Sequence, residues 1–354
     1  MNTLRLTVDP NRLETEDARM AIHRAAAILR SGGLVAMPTE TVYGLGANAL
    51  DPAAVVRIFA AKERPTWDPI IVHIAGEVAA NKMLAQLVTE ISEPARKLMA
   101  AFWPGPLTLL LPRSAAVPDA VTAGRFLVGV RMPAHPVAFE FIRQADVPVA
   151  APSANIFSHT SPTTADHVLE DLDGRIQAIL DAGPTIHGVE STVIDPNQDP
   201  MVIYRPGAIT LDQIRAVAGP VVNYRATAAS STESLTALPS PGVGIRHYAP
   251  HARLVLVEAP LAELPQRLAE TASRFRARQL GMLLPAELIS VAPSDVAIFP
   301  WGHWSVPEEL AHSLYAGLRD LDSQGCAVII CPVPLDQGIG SAIRDRLRKA
   351  ATTD

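Results

Sequence analysis

Between residues 217 and 250 the chain changes character, and that break constrains everything it can fold into. The stretch AGPVVNYRATAASSTESLTALPSPGVG is rich in Ala, Ser, Thr, Pro and Gly and carries no sustained hydrophobic period. That is the composition of a linker. It parts the 354 residues into segments 1–216 and 251–354, each large enough to bury its own core. Apolar residues make up 48% but aromatics only 5%, so those cores must be aliphatic and Ala-rich.

The two segments are patterned differently. In the first, 16–31 reads as a helix with an apolar stripe of Ala18, Ile22, Ala25, Ala26 and Leu29, ended by Gly32 and Gly33. A strand fits 34–37. Asp51 and Pro52 open a second helix as N-cap and N1, with Val55, Val56 and Phe59 as its expected buried face and Lys62 at its end. Strands fit 70–74, 107–111, 128–130, 147–151, 176–181, 191–195 and 202–204; helices fit 91–102, 136–144 and 164–172. This irregular order predicts an α/β sheet that is not purely parallel. From Arg253 onward strands and helices alternate: LVLVE, a helix to about 277, LGMLL, a strand near 296–299, a helix near 307–323, CAVIIC and a helix near 340–350. That alternation predicts a small Rossmann-like parallel sheet.

Charge and cysteine usage narrow the function classes. A net charge of −6 argues against a general nucleic-acid binder, though not against a local basic pocket. Cys326 and Cys331 lie five apart in an apolar run. On a strand they face opposite ways, so they read as buried core residues and not as a disulfide or a metal pair. The chain suits a reducing compartment. It has no apolar run of about 20 residues to cross a bilayer and no signal-peptide core, so cytoplasm is the expected location. The 31 prolines punctuate the chain beside polar motifs and stiffen those loops.

Four polar clusters stand out. PTETVYGLGANA at 38–49 sets Thr39, Glu40, Thr41 and Tyr43 directly after a strand, followed by Gly44 and Gly46. Ligand groups occupy such strand ends in α/β folds, and glycines allow close backbone approach. An ordinary polar turn is the alternative. AKERPTWDP at 61–69 places Lys62 and Arg64 where a helix meets a stiff loop. They suit a triphosphate, or simply a solvated pair at a helix C-terminus. His73 faces a ligand or is a satisfied core histidine. APSANIFSHTSPTT carries Ser153, Asn155, Ser161 and the helix-capping candidates Thr163 and Thr164. HGVESTVID and IYRPG bring Ser191 and Arg205, the latter a phosphate clamp or a surface ion-pair partner. No G-x-S-x-G elbow, Walker A lysine or H-E-x-x-H motif is present.

PTETVYGLG, AKxRP, WPGPLT, VRMPAHP, APSAN, GVEST, RPG and HYAP in this order resemble the YrdC/Sua5 family of threonylcarbamoyl-AMP synthases, in its longer two-domain Sua5 form. The resemblance covers essentially the whole chain. It implies a YrdC-like twisted mixed sheet at 1–216, a linker and possible active-site lid at 217–250, and a smaller Rossmann-like domain at 251–354. It implies synthesis of L-threonylcarbamoyl-adenylate and pyrophosphate from L-threonine, bicarbonate or CO₂, and ATP with Mg²⁺. That product would feed the tRNA threonylcarbamoyl-transferase machinery of the t6A37 modification, with at most weak tRNA contact by this chain and no membrane. Family threonine-site positions match Thr39, His73, Arg131, Ala151 and Ser191. Nucleotide-site positions match Arg64, Asp68, Leu127, Ser153, Ser161, Arg205 and Tyr248, with Lys62 and Asn155 from the signature segments, and Lys62 and Arg64 expected to meet phosphates. Two positions depart from the family pattern. Leu127 stands for a threonine, and Asp68 for a common asparagine, where a carboxylate repels phosphate unless it binds Mg²⁺ or turns away. Asp345 replaces another common asparagine. The competing readings are a carbamoyl-transfer module like that of hydrogenase maturation factors, an RNA-binding module, and a separate ligand site in the C-terminal domain.

Overall fold

The computed structural model describes residues 2–78, 81–225, 240, 247–275 and 279–351. It divides into two compact units. The first takes in Met1–Phe157, Pro162–Ile186 and Glu190–Gly244; the second takes in Ser158–Ser161, His187–Val189 and Ile245–Asp354.

The strands of the first unit are β1 (Leu4–Thr7), β2 (Val35–Met37), β3 (Gly44–Asn48), β4 (Ile71–His73), β5 (Leu107–Pro112), β6 (Leu127–Arg131), β7 (Val149–Ala150), β8 (Ala178–Asp181), β9 (Thr192–Asp195), β10 (Met201–Arg205) and β11 (Val221–Asn223). Its helices are α1 (Glu16–Arg30), α2 (Pro52–Lys62), α3 (Lys82–Leu87), α4 (Glu93–Phe102), α5 (Asp119–Thr122), α6 (Pro136–Ala145), α7 (Ala165–Leu172) and α8 (Leu211–Ala218). Among the described residues the strands form one mixed sheet in the order β1-β8-β2-β3-β7-β4-β6-β5-β9-β10-β11.

Local chemistry accounts for most of these elements. Thr15 caps α1 by accepting from the Ala18 N–H, and the predicted stripe is the buried one. Asp51 caps α2 and Pro52 occupies its first turn. Its buried face is corrected: Val56 is exposed, while Val55, Ile58, Phe59 and Lys62 are buried. These follow the i, i+3, i+4, i+7 spacing of one helix face, so the same geometry that buries Val55 carries Lys62 inward. Strand β3 is an addition within the polar cluster at 38–49. GLGAN has poor strand propensity, yet it pairs antiparallel with both β2 and β7. Gly46 has to be glycine, because a Cβ there would lie 2.9 Å from Val149 and 3.1 Å from the Val35 carbonyl. Strand β11 falls inside the stretch read as a linker and pairs parallel with β10. Residues 226–239 and 241–246 of that stretch lie outside the described residues.

The central strands bury their two faces unequally. Val72, Val130, Leu109 and Ile194 point into the large core. The alternate residues Ile71, Leu110 and Val193 form a small separate cluster with half-buried Leu127 and Tyr204. One side of the sheet is therefore thickly covered by helices, and the other carries a thin apolar strip.

The second unit has β12 (Arg253–Val257), β13 (Leu280–Leu284), β14 (Ala297–Pro300) and β15 (Val328–Pro332), with α9 (Leu264–Ala272), α10 (Pro307–Ser323) and α11 (Gly340–Ala351). All its strand pairs are parallel, in the order β12-β15-β13-β14, as the alternating pattern predicts. Cys331 is buried, but Cys326 precedes β15 and is only partly buried, which corrects the expectation that both are core residues; both are free thiols. The short segments from earlier in the chain are held within this unit by hydrogen bonds to their backbone carbonyls. Ala249 N–H donates to the Ser158 carbonyl (2.8 Å), and Arg319 Nη2 donates to the Thr160 carbonyl (2.6 Å). Gly188 has φ +70° and lies where a Cβ would sit 2.4 Å from the His312 carbonyl. Among the described residues no helix is long and apolar enough to cross a membrane.

Candidate active site

Alternating strand direction gathers polar residues at one edge of the first unit's sheet. β4 and β6 run parallel, so His73 and Arg131 arrive side by side at their C-terminal ends. β5 runs antiparallel to β6 and brings Thr108 near its start to the same edge. β9 runs parallel to β5, with Ser191 directly before it, and β10 returns antiparallel to end at Arg205. Residues far apart in sequence thus share one sheet edge.

Three hydrogen-bonded groups line this edge. In the first, the Thr39 hydroxyl donates to the Val42 carbonyl (2.6 Å) and lies 2.8 Å from the Thr41 hydroxyl. Arg131 Nη1 donates to the Thr41 hydroxyl (2.8 Å), and Nη2 sits 2.7 Å from Glu40 Oε1. In the second, the Ser191 and Thr108 hydroxyls lie 2.8 Å apart. Arg205 Nε donates to the Ser191 carbonyl and its Nη2 to the Ser191 hydroxyl, both at 3.0 Å. Gly207 makes this possible. A Cβ there would lie 2.3 Å from the Thr192 nitrogen and 2.5 Å from the Glu190 carbonyl. Gly207→Ala is therefore expected to displace the Ser191 backbone, to lower stability by about 1–3 kcal/mol, and to cost more activity than stability. A urea titration run beside an activity assay checks both.

The third group surrounds the end of α2. Lys62 Nζ is fully enclosed and donates to the backbone carbonyls of Ser153 and Asn155. Burial and the nearby Arg64 guanidinium depress its pKa well below the ordinary lysine value, while the two carbonyls favour retention of the proton. Lys62 thus pins the 153–155 loop, where sequence reasoning had its ammonium meeting phosphates. Arg64 Nη2 lies 2.9 Å from Asp68 Oδ2 and donates to the Pro69 carbonyl (2.9 Å). Its guanidinium carbon is 5.8 Å from the centre of the Phe157 ring. Asp68 therefore turns inward onto Arg64 through Oδ2, while its buried Oδ1 has no hydrogen-bond partner among the described residues. Burial raises its pKa; Arg64, Lys62 and Arg205 pull it back.

His73 is fully enclosed, and burial together with Arg131 lowers its pKa to about 3. It is neutral at physiological pH, and its Nδ1 has no hydrogen-bond partner among the described residues. Ala151 continues the floor, its N–H bonded to the Ile71 carbonyl at 2.9 Å. The charges of Arg131 and Arg205 both reach His73, and those of Arg64, Lys62 and Arg205 all reach Asp68. The three groups accordingly form one electrostatic site of cations, hydroxyls and a neutral imidazole.

The chain matches two family models in succession. Residues 27–207 match the model described as "Telomere recombination", which carries the names Sua5, YciO and YrdC. Residues 209–352 match "Threonylcarbamoyl-AMP synthase, C-terminal domain". The chain belongs to the Sua5 family. It is 44% identical to a threonylcarbamoyl-AMP synthase of Pyrococcus abyssi, over 93% of this chain and 94% of that one. It is 42% identical to a threonylcarbamoyl-AMP synthase of Bacillus subtilis, over 99% and 98%. The crystal structure of P. abyssi Sua5 complexed with L-threonine superposes with a TM-score of 0.88 at 41% identity, covering 99% of this chain and 98% of that one.

Of the residues singled out from sequence, Thr39, Lys62, Arg64, Asp68, His73, Arg131, Ala151, Ser153, Asn155, Ser191 and Arg205 lie in the first unit, with Leu127 on its apolar strip. Ser161 and Tyr248 belong to the second unit. Tyr248 is buried there, with φ +66°, stacked on Tyr315 and with Arg346 5.2 Å from its ring centre. Thr164 caps α7, as expected for an N-cap. Sequence reasoning missed Thr108. Its position in WPGPLT, among recurring family motifs, was the available signal.

Proposed function

We infer that this Sua5-family chain is an L-threonylcarbamoyladenylate synthase, joining L-threonine, bicarbonate or CO₂, and ATP with release of pyrophosphate. One observation carries the reading. Two buried guanidiniums, Arg131 and Arg205, share a sheet edge with hydroxyls and a neutral histidine. That set suits an amino-acid carboxylate and a polyphosphate, and it offers no nucleophile–base pair.

In this reading Arg131 takes the threonine carboxylate, while Thr39, His73, the Ala151 backbone and Ser191 surround the rest of the amino acid. Arg64, Arg205, Ser153 and Asn155 serve ATP. Lys62 holds the loop that carries Ser153 and Asn155. The apolar strip accounts for the nucleoside. Leu127 and Arg131 are four residues apart on β6, so about 13 Å separates the proposed carboxylate site from the Leu127 end of the strip. Leu127 and Tyr204 also line a cavity of ≈ 760 Å³ with Arg125 and Phe126. Gly129 keeps the strip open, since a Cβ there would lie 3.3 Å from Thr108 Cγ2.

The threonine amine attacks CO₂ to give a carbamate and gives up a proton. A carbamate oxygen then attacks the α-phosphorus as the bond to pyrophosphate breaks. Such transfers need positioning and charge neutralisation more than a dedicated base. Mg²⁺ enters as part of MgATP. Among the described residues no group of three His, Cys, Asp or Glu side chains would hold it independently. The product would serve tRNA modification in the cytoplasm.

The test is pyrophosphate release from ATP with threonine and bicarbonate omitted in turn. Release should require both. Release that ignores threonine would sink the proposal and favour another use of the site, and salt-dependent tRNA binding without turnover would favour the RNA-binding reading.

A further inference from the structure

Glu40 is a buried charged group that the chemistry above leaves unused. It lies between Thr39 and Thr41, it is 2% exposed, and its partner Arg131 is 3% exposed. Its carboxylate approaches Arg131 and the backbone N–H groups of Glu40 and Ala134. Both Glu40 oxygens and Arg131 Nη2 are left without an aligned hydrogen bond among the described residues. The rest of the guanidinium is fixed, with Nε donating to the Gly105 carbonyl (3.3 Å) and Nη1 to Thr41. Nη2 faces Glu40 Oε1 at 2.7 Å and still has a second N–H, and the Glu40 carboxylate has further lone pairs beside it.

That pair matches a zwitterion. A carboxylate on Nη2 places the adjacent α-ammonium within reach of the Glu40 oxygens. A buried charge pair with unmet hydrogen bonds is costly until a ligand completes it, and an anion lacking the ammonium would meet Glu40 as a like charge. Resting on the proposed function, we infer that Glu40 is a positioning and specificity residue of the amino-acid subsite: it aims Arg131 Nη2 at the carboxylate and selects ligands that carry a free α-amino group.

The experiment measures binding of L-threonine and of its 2-hydroxy-acid counterpart to the intact protein by calorimetry without ATP. It then follows pyrophosphate release while threonine and ATP are varied separately. E40Q should weaken threonine by about ten-fold or more, the size of a lost charge-assisted contact, and should shrink the preference for threonine over the hydroxy acid. The KM for ATP should stay within about two-fold, since the change removes ground-state binding at one subsite. E40D should recover part of the preference. An unchanged preference, or threonine and ATP constants that worsen together, would overturn the inference and leave Glu40 a structural ion pair. If E40Q folds poorly, E40D decides alone, because its shortened carboxylate must lower the preference. Wild-type protein that binds no threonine would instead overturn the function itself.

Discussion

Replacing Arg64 with alanine should destabilise the protein by about 3–5 kcal/mol, the usual cost of stranding one half of a buried ion pair. Asp68 Oδ2 lies 2.9 Å from Arg64 Nη2, with side-chain exposures of 1% and 5%, so water cannot replace the lost partner. The carboxylate can escape by taking up a proton, which for an ordinary aspartate at pH 7 costs about 4 kcal/mol. The loss should therefore shrink as pH falls toward 4. It should also shrink in the double variant R64A/D68N, where no charge is left to strand. D68N alone should cost much less stability, because an amide oxygen still accepts from Arg64. In the proposed function it should also tighten ATP several-fold, since a negative charge disappears from a site built of cations. Urea denaturation of the three variants at pH 5 and pH 7, with KM for ATP where activity survives, tests the set. An R64A loss that is independent of pH and unrelieved by D68N would mean that Asp68 is not the stranded charge.

The Arg64–Asp68 pair also marks where sequence reasoning stopped. Asp68 was visible as a departure from the family pattern, with two open outcomes. Only the fold shows that it turns onto Arg64. Lys62 was legible as a cation beside a phosphate loop, but its inward direction follows from the phase of α2, set by Val55, Ile58 and Phe59. The second unit was nearly transparent, because its central strands β13 and β15, buried on both faces, write continuous apolar runs between amphipathic helices. The first unit was harder for a physical reason. GLGAN is a strand by virtue of its two neighbours and not its residues. Likewise no local pattern reports that β5 runs opposite to β6, which brings Thr108 to the same edge as Arg131, or parallel to β9, which sets it beside Ser191. Motif order named the family; strand direction assembled the site.

His73 should make the protein acid-sensitive in a defined window. Its folded pKa is about 3, depressed by burial and then by Arg131, against an ordinary value of about 6.5. Between those values the unfolded chain binds a proton that the folded chain refuses. The contribution of His73 to stability is complete above pH 6.5. It is lost at up to about 1.4 kcal/mol per pH unit as pH falls toward 3. H73Q, which cannot titrate, should lack this component, so the stability difference between wild type and H73Q should change with pH below 6.5 and stay level above it. Urea midpoints from pH 4.5 to 8 measure that difference directly, and other titrating groups cancel in it. Parallel curves throughout would mean that the imidazole titrates in the folded state as it does in the unfolded chain. The functional consequence follows from the same burial. A charged imidazole between Arg131 and Arg205 would add a third cation to a subsite proposed to receive an ammonium as well as a carboxylate. Keeping His73 neutral leaves Glu40 to set the charge balance there, and threonine affinity should then show no histidine-like transition between pH 6 and 8.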